Sequence, residues 1–252
     1  MIAQIAAAPH GRVDRVILID NQSPDDTVDT AVTSARAVLG HLHWEVLRND
    51  GNYGLGGSHK VAFAYARTHD IQTLVVLHGD DQATLADIWP YIDAPVDIDC
   101  LLGSRFMRGS QLQGYSPTRL WGNRAFNLLF SLVTRKHLTD LGSGLNVYRR
   151  NFLDLCLEQG CPDTLSFNYH LLLASAQARM HIRFFPISWR EEDQRSNVKM
   201  VSQAMGMLHM LKDYWRSPSK FVQAGIAAHV NQTYPSTVVA YNPHFPPSDA
   251  QT

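Results

Sequence analysis

A histidine, a glycine, two carboxylates and an amide follow one another at His78-Gly79-Asp80-Asp81-Gln82. Carboxylate and amide oxygens are hard donors of the kind that Mg2+ and Mn2+ prefer. The group stands directly after Leu74-Val75-Val76-Leu77, an aliphatic run that reads as a buried strand. Ligands of open α/β sheets bind in the crevice beyond the carboxyl ends of the strands. Asp80, Asp81 and Gln82 therefore stand where a metal-bound phosphate would lie. The same acids also suit a plain turn and the N-cap of a helix starting in Ala83-Thr84-Leu85-Ala86. On this stretch alone both readings stay open.

The elements that must position these groups repeat in the order strand, loop, helix. Val13 to Asp20 is a second buried strand ending in a carboxylate, and the turn cluster Asn21 to Thr27 leads into a helix from about Val28 to Leu39. Trp44 to Leu47 is a short strand, and the glycine-rich stretch Asn49 to Ser58 opens a helix through Val61, Ala62, Ala64, Tyr65 and Ala66. That stretch is not a dinucleotide fingerprint, because His59 stands where the third glycine belongs. Nor is it a P-loop, because Gly57 follows Gly56 where lysine is needed. It lets a nucleotide or neighbouring backbone come close, or it is a tight turn packing a helix on the sheet.

Further strands are expected at Ile98 to Gly103, at Leu141 to Tyr148 behind a turn, and at Ile182 to Trp189. Helices are expected at Phe152 to Leu157 and Leu171 to Ala178, with a long amphipathic one over Arg119 to Val133. Arg190 to Lys199 reads as a charged loop before an amphipathic helix to about Trp215. The alternation predicts a doubly wound α/β fold. From about Val230 prolines multiply and periodicity fades, which predicts residues 1–229 as one domain and 230–252 as a poorly ordered tail. The Asn231-Gln232-Thr233 sequon in that tail reads as a chance match.

With 252 residues, 45% hydrophobic, 18% charged and a net charge of −1, the chain has an ordinary globular composition and no global field to attract nucleic acid. Three cysteines, Cys100, Cys156 and Cys161, are odd in number and lack metal-like spacing, which argues against a disulfide framework. No apolar run approaches the roughly 20 residues of a membrane span. The expected location is cytoplasmic, at the inner face of the membrane, with any membrane contact peripheral.

Five motifs in order, spread over Val13 to Lys199, resemble family 2 glycosyltransferases of the GT-A fold, close to the polyprenyl-phosphate (dolichyl-phosphate) mannose and glucose synthases. Ile19 to Thr27 resembles the Asp-Asp-x-Ser-x-Asp-x-Thr signature, and Asn52-Tyr53-Gly54-Leu55-Gly56 resembles the Asn-x-Gly-x-Gly helix start. Gly103-Ser104-Arg105-Phe106 matches a Gly-Ser-Arg-aromatic motif, and Asp140-Leu141-Gly142-Ser143-Gly144 an Asp-x-x-Ser-Gly motif. Pro186-Ile187 and Ser196 to Lys199 resemble the closing element, with Arg190 or Arg195 as its arginine. The family's Phe-x-x-Glu-Leu reads Phe167-Asn168-Tyr169-His170-Leu171 here. Its first strand has no counterpart, and Met1 to Ala8 resembles the helix that follows that strand.

The resemblance implies a GT-A-like mixed sheet with helices on both faces, lacking its first strand. It implies sugar transfer from a nucleotide diphosphate sugar to an acceptor, a polyprenyl phosphate, with Mg2+ or Mn2+. The metal set would be His78, Asp80 and Gln82, with His78 in place of the family's first carboxylate. Asp20, Asn21, Ser23, Asn52, Gly54, Asp80 and Asp81 would bind the nucleotide sugar, and Arg105, Arg119, Asn123 and Lys199 would face the acceptor phosphate. Asp80, Arg105 and Asp140 would be catalytic. Two alternatives are a sugar-1-phosphate nucleotidyltransferase, for which no basic Gly-rich loop is visible, and a non-catalytic nucleotide-sugar-binding or scaffold protein.

Overall fold

The computed structural model describes residues 1–93, 97–158, 160–191, 197–229 and 233–246, with backbone only at 197–200 and 229. After a short helix α1 (Ile2–Ala6), β1 (Arg15–Asp20) alternates half-buried and buried residues, while β2 (His43–Asn49) is buried almost throughout. The two pair in parallel, Arg15 opposite His43 and Asp20 opposite Arg48, across the crossover helix α2 (Thr27–Val38). Val16, Leu18, Ala35, Leu39, Trp44 and Val46 form the core between this ribbon and α2.

A second sheet carries the strand end that leads into Asp80 and Asp81. It runs in the order β3 (Thr73–Leu77), β6 (Leu145–Arg149), β4 (Cys100–Ser104), β7 (Ile182–Pro186), with β6 antiparallel to both neighbours. One face is covered by α3 (Gly54–Thr68), α4 (Pro117–Thr134), α5 (Arg150–Glu158) and α6 (Phe167–Gln177), through Phe63, Phe130, Phe152 and Phe167. The other face packs on Leu85 and Ile88 of a 3₁₀ turn and on Ile187 and Trp189. The mixed α/β architecture with both faces covered is the one implied by the motifs.

The sheet is interrupted, however: among the described residues β1 and β3 belong to separate sheets. Helix α3 joins them. Its Val61 and Tyr65 pack with Leu47 of β2, while Ala62, Phe63 and Ala66 pack with Leu74 of β3 and Tyr148 of β6. Its glycines serve this packing. Gly56 N donates to Asp163 O at 2.7 Å, and a Cβ on Gly56 would collide with the Pro162 carbonyl. Of the two uses open to this loop, the structure shows close approach of neighbouring backbone.

The single strand expected over Ile182 to Trp189 is two. Proline ends β7 because it has no N–H for the ladder, and β8 (Ser188–Arg190) turns to pair in parallel with β5 (Gln111–Gln113). The expected disorder after Val230 is corrected for part of its length. Ser236–Tyr241 forms β9, antiparallel to β2. Its β-branched run Ser-Thr-Val-Val-Ala-Tyr is short and mostly exposed, so it leaves little hydrophobic signal among the prolines. Buried Asn242 fixes its end, donating to Gly40 O and Leu42 O at 3.2 and 2.7 Å. Two further helices, α7 (Asn197–Arg216) and α8 (Pro218–His229), precede it. Asn231, Arg195 and Ser196 lie outside the described residues.

Candidate active site

The two adjacent acids after β3 have different fates. Asp81 sits in the left-handed region, φ 57°, where its short polar side chain bonds locally. Its Oδ1 lies 2.6 Å from the Met1 nitrogen and accepts from Gln4 Nε2 at 2.8 Å, and these contacts hold its carboxyl below the usual range. The same Gln4 donates to Ala83 O at 3.2 Å and accepts from Leu85 N at 2.7 Å. A residue of α1 thus holds three points of the 81–85 loop. Asp80 is solvent-accessible, and among the described residues its carboxylate accepts one hydrogen bond, from Gln82 N at 3.2 Å. Partial enclosure, then repulsion from Asp81 and Glu191, pushes its carboxyl up. Neither acid caps a helix; the following 3₁₀ turn starts from Thr84. The stretch is a turn that leaves one carboxylate open to an outside ligand.

His78 lies apart from that opening. Its backbone N donates to Gly144 O at 2.8 Å, and its enclosed Nε2 has no partner. The ring stands edge-on to His59, with centroids 5.5 Å apart. Burial and then the charge of Arg105 lower its pKa, so the imidazole is neutral. Among the described residues no three His, Cys, Asp or Glu side chains gather as a metal site.

At the end of β1, the expected nucleotide residues do come together. Asp20 is buried and accepts from Ser23 N at 3.1 Å, with Arg48 Nε 3.4 Å from Oδ2. Asn21 Oδ1 accepts from Tyr53 N at 2.8 Å and Asn49 Nδ2 at 3.0 Å, and its Nδ2 donates to Asn52 Oδ1 at 2.9 Å. Asn52 in turn accepts from Gly54 N at 3.1 Å. Asn49, fully buried at the end of β2, is a member that sequence reasoning missed; the only signal was a polar residue closing an apolar strand.

The expected acceptor residues fall into two groups. Arg105 is forked onto buried Asp140, Nε to Oδ2 at 2.9 Å and Nη2 to Oδ1 at 2.8 Å, and Nη2 also donates to Gly142 O at 2.7 Å. Its guanidinium lies 5.1 Å from the Phe106 ring and 5.0 Å from that of Trp189. Asp140 therefore holds Arg105. Arg119 pairs with Glu191 at 2.9 Å and stacks over Tyr115, whose hydroxyl accepts from Asn123 Nδ2 at 2.8 Å. Tyr115 and Glu191 were not foreseen, since their roles come from tertiary contacts. The Lys199 side chain lies outside the described residues.

A sequence profile described as glycosyl transferase family 2 matches residues 1–156. The chain belongs to that family. This family 2 glycosyltransferase is 28% identical over 180 residues to an undecaprenyl-phosphate mannosyltransferase of Micrococcus luteus, covering 71% of this chain and 72% of that protein. In fold it is similar to glucosyl-3-phosphoglycerate synthase of Mycobacterium tuberculosis. The UDP complex superposes with a TM-score of 0.53 at 13% identity, over 97% of this chain and 95% of that one. The complex with Mn2+, UDP-glucose and glycerol 3-phosphate gives 0.51 at 13% identity, over 97% and 94%.

Proposed function

We propose that this glycosyltransferase moves a hexose from a nucleotide diphosphate sugar to a polyprenyl phosphate at the cytoplasmic face of a membrane, using Mg2+ or Mn2+. The observation that carries the acceptor class is the shape of α4. Phe126, Phe130 and Val133 pack into the core, while Trp121, Leu128, Leu129 and Leu132 stand exposed, Trp121 by 67%. Positions 121, 128 and 132 share one helix face. Arg119 and Asn123 lie at the N-terminal end of the same helix. Among the described residues no helix is long and apolar enough to cross a membrane, so contact with the lipid would be made by such a face. The mannosyltransferase relative, named for a lipid phosphate, supports the same class.

Asp80 fits a divalent cation: an accessible carboxylate with one internal hydrogen bond keeps oxygen lone pairs to offer, and the Gln82 amide oxygen is the second hard donor nearby. A bound cation would neutralise the charge that develops on the departing diphosphate. The Asp20–Asn21–Asn52 cluster would hold the nucleotide. A phosphate acceptor is ionised near neutrality, so the chain needs no strong general base. Arg105, held by Asp140, would lend fixed positive charge to the acceptor side, and Arg119 a second.

Transfer to a short polyprenyl phosphate should far exceed transfer to free sugars. Arg119→Lys should raise the acceptor KM with donor KM nearly fixed, because lysine keeps the charge and loses the planar fork. Free sugars serving better would overturn the lipid-phosphate reading, and donor binding without any transfer would favour a non-catalytic binding protein.

A further inference from the structure

We propose that Tyr234, just before β9, is a positioning residue of the donor site. Locked to Lys60 and Asp163, it holds Tyr53 and with it the turn that carries Asn52 and Gly54. That Asn52 and Gly54 meet the nucleotide rests on the reading above; the lock does not.

The lock is a closed triangle. Lys60, on α3, is 5% exposed, and its Nζ donates to Asp163 Oδ1 at 2.7 Å and to the Tyr234 hydroxyl at 2.9 Å. That hydroxyl donates to the same Oδ1 at 2.8 Å. Burial, then the bond to Asp163, pushes the phenol pKa up, so the hydroxyl keeps the proton it donates. An enclosed ammonium is costly unless paired, and here its partners come from two distant parts of the chain. Asp163 O also accepts from Gly56 N, which ties the triangle to the first turn of α3.

From this anchor the segment reaches the nucleotide turn. The Tyr234 ring meets Tyr53 edge-on, with centroids 5.4 Å apart and 85° between planes. A Cβ on Gly57 would collide with Tyr53 and come 3.3 Å from the Tyr234 ring, so the glycine lets both rings sit there. The next residue closes the turn: Pro235 O accepts from the Tyr53 hydroxyl at 2.9 Å and from Asp50 N at 3.0 Å. One carbonyl thus holds both sides of residues 50–53. Tyr53 N donates to Asn21 Oδ1, which also accepts from Asn49 Nδ2. Asn52, between these fixed points, is exposed. A turn pinned at Asp50 and Tyr53 presents an open side chain already ordered, which lowers the entropy cost of binding.

The test is kinetics of the whole protein with UDP-glucose or GDP-mannose as donor and a short polyprenyl phosphate as acceptor. Binding of UDP and of GDP, each with Mn2+, is measured beside it by calorimetry. Tyr234→Ala should raise the donor KM and the nucleotide Kd on the order of tenfold, the scale of a lost aromatic pair. Its kcat and acceptor KM should stay within about twofold, since the loss is in donor binding alone. Tyr234→Phe keeps the ring against Tyr53 and should retain most of the affinity. Tyr53→Phe removes only the bond to Pro235 O and should raise the same Kd about threefold. That variant decides the question if Tyr234→Ala does not fold. An unchanged Kd in the tyrosine variants while Asn52→Ala weakens nucleotide binding overturns the positioning role alone. So does a loss of kcat and acceptor binding that merely tracks the fall in Tm. Wild type that binds neither nucleotide, or Asn52→Ala that binds as tightly as wild type, overturns the nucleotide reading and this proposal with it.

Discussion

Arg105 and Asp140 face each other in a two-bond fork, and Asp140 is 1% exposed. Burial opposes the charge on Arg105, yet attraction and hydrogen bonding from Asp140 raise its pKa. Removing one partner strands a buried charge, which costs about 3–5 kcal/mol. Asp140→Ala should therefore lower the Tm by roughly 6–20 °C for a chain of this size, measured by calorimetry. Arg105→Lys should lose stability too, so its kinetics are read well below its own Tm.

Asp80→Asn should abolish metal-dependent turnover and spare the fold, because the amide keeps the shape and loses the charge. The sign for stability follows from the raised carboxyl pKa. The folded state holds the proton more tightly than the unfolded one, so this group costs stability as pH rises through that window. The variant should melt at pH 7 no lower than wild type. Transfer at wild-type rate in saturating metal would refute the assignment.

Gln4 is the peg of the 81–85 loop. Gln4→Leu leaves Leu85 N and Ala83 O without their partner, a loss of about 1–3 kcal/mol for an unsatisfied, largely enclosed group. Urea unfolding should show that loss, and half-activation should need more Mn2+ as the loop that carries Asp80 loosens.

Acid should unfold the protein partly through His59. Its pKa falls from 6.5 to about 4 on folding, so the unfolded chain binds the extra proton between those values and stability declines as pH falls through them. The full loss is roughly 3 kcal/mol. Stability curves from pH 7 to 4 should flatten in His59→Phe relative to wild type.

The exposed face of α4 offers a stability-neutral test. Trp121→Ser with Leu132→Gln should leave the unfolding free energy within about 1 kcal/mol of wild type, since exposed positions carry little packing, while co-sedimentation with vesicles containing polyprenyl phosphate drops severalfold.

Strands β1 and β3 were legible because each carries an unbroken aliphatic run closed by a polar turn. The Asp20–Asn21 cluster was legible for a related reason: its members crowd into two short turns. β9 was not, because its hydrogen bonds go to a strand nearly two hundred positions away and its side chains stay in solvent. The break after β7 was written in Pro186 but hidden inside an apolar run. Arg105 and Asp140 were legible as residues with chemistry and not as each other's partners, since a charged pair is set by the approach of two loops and leaves no periodic trace. Gln4 and His59 carry even less signal: one polar residue in a short helix, one imidazole in a long one.

The pairing of β9 with β2 also orders events in time. Thr237 and Asp50, bonded at 3.1 Å, lie 187 positions apart. At about 5–20 residues per second, the ribosome needs roughly 10–40 s to deliver the outer strand after β2 has emerged. Throughout that interval β2 presents an apolar, unpaired edge, the kind of template on which nascent chains stick to one another. Newly made protein should therefore depend on a holding chaperone until β9 arrives.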